Sequence, residues 1–189
     1  GCAGKLAVFA VRLDTFENYA REKVFYIGTN DPADFTELRR RILMDFETLP
    51  VSAEYMHREC FDIAAKYGKD TLVMIDKLGT DRLPMFFALK AAVDARLNKM
   101  SWTRGLTDKF MQFLAKLWPE HLPAFLRDYR DRYEHHLILK MHDGGIEEAE
   151  GFLPKFLAGR DAAFQICSPR EAKIAGLHRF AAAGAAVRY

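Results

Sequence analysis

No apolar run in the 189 residues approaches the roughly 20 needed to cross a bilayer as a helix, and no charged-then-apolar leader opens the chain. A soluble or peripheral cytoplasmic protein is therefore the expectation. Cysteine is scarce: Cys2, Cys60 and Cys167 are odd in number, far apart and without a Cys-x-x-Cys pair. That pattern argues against a disulfide framework and a thiolate zinc site, and leaves reduced, mostly buried thiols. Also missing are a phosphate-binding glycine loop, a nucleophile elbow, a His-x-x-x-His pair and an Asp-rich calcium loop, so no motif supports stand-alone catalysis. The formal net charge is only +2. An opening methionine is absent too, and the final Ala186-Val187-Arg188-Tyr189 reads as a strand just beginning, so both ends look cut from something longer.

What is present is one sizeable core's worth of apolar residues, 50% of the chain, in the size range of a single domain or a domain with a subdomain. From Lys69 to Tyr133 runs an aromatic, basic, helix-rich block that reads as an insertion. Its apolar stripes fall at helical spacing: Met85, Phe86, Leu89, Val93, Leu97 and Met100, then Leu106, Phe110, Phe113, Leu114 and Leu117, then Leu122, Phe125, Leu126, Tyr129 and Tyr133. Phe87 and Trp102 fall off the stripes, and Lys90, Arg96, Lys99, Arg104, Lys109 and Lys116 outnumber nearby acids. Three readings compete: a solvated helical bundle, a nucleic-acid surface and a membrane surface. Interleaved acids and the lack of a reading motif make nucleic acid the weakest. Off-stripe aromatics favour a bilayer interface, where each Lys or Arg near anionic lipid contributes on the order of 1 kcal/mol.

On either side of the block, strands and helices alternate. Lys5 to Phe16 and Lys23 to Thr29 read as strands spaced for an antiparallel pair. Asp31-Pro32 starts a helix whose apolar face is Phe35, Leu38, Ile42 and Phe46, stopped by Pro50, with Arg39, Arg40 and Arg41 as a solvated side. Val51 to Tyr55 is a strand running directly into a helix through Tyr67, with Gly68 at its C′ position. Tyr133 to Met141 returns as a strand, followed by a helix with Ile146, Ala149, Leu153 and Phe156 on one face. Pro154 inside it should kink or split it, since a mid-helix proline costs roughly 3 kcal/mol. Ala162 to Cys167 is a further strand, and Ser168-Pro169-Arg170-Glu171 is a capping box opening an alanine-rich helix that can end near Gly184. The spacing predicts an α+β fold: a largely antiparallel sheet with helices on one face, carrying the inserted basic helical subdomain.

Candidate chemistry is sparse. His136 and His142 share a strand face, but no third ligand is spaced to join them or His135, so no metal is expected. Glu54, His57 and Arg58 sit where a strand enters a helix, a place where polar side chains meet ligands and also where ordinary surface polarity is found. His178, Arg179 and Arg188 could supply a proton acceptor and a carboxylate clamp, since the arginine fork holds both carboxylate oxygens; ion pairs at the sheet edge are the competing reading.

Several strings carry a resemblance. They are Gly1-Cys2-Ala3-Gly4-Lys5-Leu6-Ala7-Val8, Glu54-Tyr55-Met56-His57-Arg58, Tyr67-Gly68-Lys69-Asp70-Thr71 continuing through Met74 to Asp81, Tyr133-Glu134-His135-His136-Leu137, Leu177 to Ala186, and Arg188-Tyr189. In order and spacing they resemble the bacterial respiratory, quinone-dependent D-lactate dehydrogenases across essentially the whole chain. Pro154 is a departure that bears only on the regularity of its own helix. The resemblance implies a peripheral flavoprotein that oxidises D-lactate to pyruvate and passes electrons to a membrane quinone at the cytoplasmic face of the inner membrane. It implies three parts: an FAD-binding domain, a cap over the flavin, and an electropositive membrane-binding region inserted into the cap. This chain then divides into a first cap part at 1–68, with 1–10 as the last flavin-domain strand, a membrane-binding insertion at 69–132, and a second cap part at 133–189. FAD is held mainly by residues outside the chain, with a contact to its adenine near Val8 or Ala7. His178 and His57 would line the reaction site, Arg188, Arg179 and Glu54 would meet substrate, and Phe87, Lys90, Arg96, Lys99, Trp102, Arg104, Lys109 and Lys116 would meet anionic phospholipid. A non-catalytic α+β module binding a partner or anionic surface through the same helices stays open beside it.

Overall fold

The computed structural model describes residues 18–67 and 122–186, with 4, 7, 9–13, 15, 85, 88 and 92 as scattered positions outside those stretches. The strands are β1 (Glu22–Thr29), β2 (Ser52–His57), β3 (His135–His142) and β4 (Ala162–Ile166). The helices are α1 (Pro32–Asp45), α2 (Arg58–Tyr67), α3 (Ala124–Arg132), α4 (Gly144–Leu157) and α5 (Pro169–Ala186). The sheet order is β2-β3-β1-β4, and every neighbouring pair is antiparallel. β1 and β2 are thus parallel across β3, joined through α1, and β3 and β4 are parallel across β1, joined through α4. Two interlocked split βαβ units of this kind make the ferredoxin-like arrangement.

Local chemistry explains the elements. Asp31 caps α1 by accepting from the Ala33 N–H at 2.9 Å, with Pro32 in the first turn where its missing N–H costs nothing. Glu171 accepts from the Ser168 N–H at 2.8 Å while the Ser168 hydroxyl accepts from the Glu171 N–H, the reciprocal box that opens α5. Helix α4 runs through Pro154 to Leu157 without splitting. Pro154 faces solvent three residues from the end, where water can serve the carbonyl it frees.

Alternation along β1 and β3 builds two cores. Phe25, Ile27, Leu137, Leu139 and Met141 point to one face and pack under Leu38 and Ile42 of α1 and Ile146, Ala149 and Leu153 of α4. Tyr26 and Ile138 point to the other, packing with Met56, Phe61 of α2, Leu126 and Tyr129 of α3, and Ala175 of α5. The expected α+β class with an antiparallel sheet is present, but helices cover both faces rather than one. Strands buried on both sides read as continuous apolar runs, which hides the second layer in the sequence. Helix α3, at the end of the predicted insertion, seats on this second face.

The expected pairing of Lys5–Phe16 with Lys23–Thr29 is not made. Both edges of β1 are taken, by β3 and β4, and the described residues 9–13 carry no regular structure, with Phe9 97% exposed. Cys167 is buried as expected, whereas Cys60 is exposed at the start of α2, and Cys2 lies outside the described residues. Gly68 and the second predicted helix of the block also lie outside them, and of the first only Met85, Ala88 and Ala92 are described, each helical and exposed.

Candidate functional site

The second face of the sheet carries a cleft of about 610 Å³ between β1–β3 and α5, lined by Lys23, Ser52, Glu54, Lys140, Cys167 and Lys173 among others. The register explains the set: Ser52 lies opposite Lys140 and Glu54 opposite Ile138, so all four share a face. Two charges in the cleft are paired: Lys140 Nζ is 2.8 Å from Glu22, and Arg179 of α5 is ion-paired to Glu54. Lys23 contributes to the cleft wall, but its side chain turns to the first face with Met141, where Nζ is 2.6 Å from Glu150. The Cys167 thiol is pushed up to about 12, chiefly by burial and further by Glu171, so it stays protonated and is a poor nucleophile.

Beneath the cleft lie buried histidines. His178 is fully buried with its ring 4.2 Å from that of Phe61. His136, also fully buried, lies 5.9 Å from Phe61 and 5.8 Å from Tyr26. Burial pushes His136 down to about 4, helped by the nearby Arg58, so the ring is neutral near pH 7. The Tyr26 hydroxyl is likewise raised by burial. Arg130 of α3 grips Asp62 of α2 with two hydrogen bonds of 2.8 and 2.7 Å, which hold the carboxyl below its ordinary range.

The structure brings together Glu54, Arg179 and His178, three of the residues singled out in the sequence. His57 lies on the opposite face, its Nδ1 accepting from the Glu59 N–H at 3.2 Å and its ring 5.3 Å from His135. Adjacent strand residues point to opposite faces, which separates it from Glu54 and Met56. Ala7 is exposed and without regular structure. Val8, Arg188, Phe87, Lys90, Arg96, Lys99, Trp102, Arg104, Lys109 and Lys116 lie outside the described residues. Sequence reasoning missed Lys140 and the Asp62–Arg130 pair. The signal for Lys140 was a lone charge in the apolar strand Leu137-Ile138-Leu139-Lys140-Met141; nothing local joins Asp62 to Arg130. Chemically, the cleft can receive a small carboxylate on Arg179 only if Glu54 lets go. Among the described residues, no group of three or more His, Cys, Asp or Glu is placed to hold a metal ion.

The protein family described as D-lactate dehydrogenase, membrane binding, matches residues 24–189. The chain is 57% identical over 190 residues to the quinone-dependent D-lactate dehydrogenase of Escherichia coli strain K12, covering all of this chain and 33% of that protein. The protein of the same name from Haemophilus influenzae is 54% identical over 192 residues, with 34% of its length covered. That from Corynebacterium glutamicum is 39% identical over 192 residues, again with 34% covered. The chain thus spans about a third of the length of these relatives.

Proposed function

The chain belongs to the D-lactate dehydrogenase membrane-binding family, and from that premise we propose that it is part of a peripheral membrane flavoenzyme that oxidises D-lactate to pyruvate and passes electrons to quinone. The match over residues 24–189, at 57% identity to a quinone-dependent D-lactate dehydrogenase, carries this reading. In it, 1–68 and 133–189 form the cap and 69–132 the membrane-binding insertion, with α3 anchoring the insertion to the sheet. FAD supplies the redox chemistry. At the second-face cleft Lys140 is engaged by Glu22 and Arg179 by Glu54, so neither is free to meet a pyrophosphate. FAD is therefore assigned to parts of the protein outside this chain, with Val8 and Ala7 as contacts to its adenine. Arg188 and Arg179 hold the substrate carboxylate, Glu54 acts as the ion-pair partner that Arg179 exchanges for it, and His178 lines the site, whereas His57 on the opposite face of the sheet is left out of it.

Among the described residues no helix is long and apolar enough to cross a membrane; the family's membrane-binding description supports docking on a membrane surface, assigned here to the cytoplasmic face of the bacterial inner membrane. Phe87 and Trp102 would insert, and Lys90, Arg96, Lys99, Arg104, Lys109 and Lys116 would meet anionic phospholipid. The test uses the full-length protein and liposomes with and without anionic lipid, at low and high salt, alongside D-lactate-driven reduction of a soluble dye. Lys90→Glu with Lys109→Glu, and separately Phe87→Ser, should abolish salt-sensitive pelleting and spare dye reduction. Undiminished pelleting would remove the docking assignment, and a wild-type protein that reduces no dye with D-lactate would remove the enzyme assignment.

A further inference from the structure

The first face of the sheet carries a second cleft, of about 450 Å³, between α1 and the β2–β3 edge. Its size is that of a small-molecule site. Its walls are Phe35, Leu38, Ile42 and Leu43 of α1, and its floor is Leu137 and Leu139. From Pro32 to Leu43 the lining follows α1 for about 16 Å at 1.5 Å per residue. The two ends differ. At the Phe35 end, Tyr55 Oη lies 2.8 Å from His135 Nδ1, and the Phe35 ring meets the Tyr55 ring edge-on at 6.2 Å. At the other end the cleft is lined by Pro50 and by Leu43, which is 54% exposed. The shape is that of a slot for an amphiphile: an aromatic, hydrogen-bonding head place and an apolar channel open to solvent.

We propose that this cleft binds the quinone acceptor, with the quinone ring at Phe35 and Tyr55 and its isoprenoid tail running past Ile42 and Leu43. The proposal rests on the quinone-dependent reading above and adds the place where the acceptor sits. A quinone carbonyl is an uncharged acceptor, so it needs a neutral donor. When His135 donates its Nδ1–H to the Tyr55 oxygen, the Tyr55 hydroxyl hydrogen is free to donate to that carbonyl. The Phe35 and Tyr55 rings meet at a steep angle, 77° between planes, so together they present aromatic surface for a flat head group to contact. Arg39 on the same wall is long enough to cover the apolar channel with its stem while its head stays in water.

The test uses the full-length protein and a short-chain azido-quinone, photolysed and mapped by peptide mass. Labelling of peptides containing Phe35 or Tyr55, suppressed by excess unlabelled quinone, is expected. Thr36→Trp, an exposed lining position whose larger ring fills the cleft, should abolish it, whereas Arg40→Trp on the outer side of α1 should not. In turnover, Thr36→Trp should raise KM for the short-chain quinone at least about fivefold, and Tyr55→Phe by about two- to tenfold, the range of one lost hydrogen bond. Reduction of a soluble dye by D-lactate should be unchanged in both. Labelling elsewhere, labelling displaced by a fatty acid but not by quinone, or no labelling because another part of the polypeptide fills the cleft would each overturn the proposal. Dye reduction by the wild-type protein reports separately on the dehydrogenase reading, and the labelling result stands whether or not the enzyme turns over.

Discussion

Gly28, one residue from the end of β1, shows how close the second helical layer comes. A Cβ there would lie 2.4 Å from Tyr133 Cδ2 and 2.9 Å from Tyr129 Cδ1. Both rings are fixed by packing, so Gly28→Ala should cost about 1–3 kcal/mol, read as a lower urea midpoint at unchanged slope. His136 makes a second prediction. Its native ring takes a proton only near pH 4, against about 6.5 when unfolded. Between those values the unfolded chain holds more protons, so this stability is full above about pH 6.5 and is lost as pH falls toward 4. The loss is on the order of 3 kcal/mol if the whole shift is expressed. Urea midpoints at pH 7 and pH 5 should differ for the native protein, and His136→Phe should flatten the difference; an unchanged difference would assign it to other groups.

At the scale of elements, α2 and α3 flank residues 68–121 and are tied by Asp62 and Arg130, whose side chains are 44 and 39% exposed. Such partly solvated pairs contribute modestly, so a double-mutant cycle with Asp62→Ala and Arg130→Ala should give a coupling of about 0.5–1 kcal/mol, smaller in 1 M salt. Because the native Asp62 carboxyl is held low by Arg130, this contribution is present above the ordinary carboxylate range and is lost as pH falls through it. A coupling of zero at low salt would leave α3 held by its apolar packing, Phe125, Leu126 and Tyr129 among it. On the other face, Leu139 is fully buried between α1 and α4. Leu139→Ala should therefore cost about 2–5 kcal/mol in equilibrium unfolding.

For the whole molecule, Lys140 and Arg179 of the second-face cleft are already paired with Glu22 and Glu54. On the proposed reading, the 189-residue chain purified alone should show no flavin absorbance, while the full-length protein should carry one FAD spectrum. Flavin retained by the isolated chain would place the cofactor site within it.

Local rules determined much of this protein. The Asp31 cap, the Ser168–Glu171 box, four of the strands and the apolar faces of α1, α3 and α4 follow from residue type and spacing, because each is settled within a few residues. The family resemblance was equally legible, carried by other strings such as Glu54–Arg58 and Tyr133–Leu137. Tertiary structure decided what local rules leave open. The apolar alternation of Lys5–Phe16 permits a strand, but pairing needs a free edge, and β3 and β4 occupy both edges of β1. Tyr26 and Ile138 read like any core residues until α2, α3 and α5 are seen covering their face. Glu54 meets Arg179, and Asp62 meets Arg130, across separations that no sequence period spans. Parity on β2 alone sends His57 away from Glu54, to the face where Tyr55 and His135 close one end of the apolar cleft.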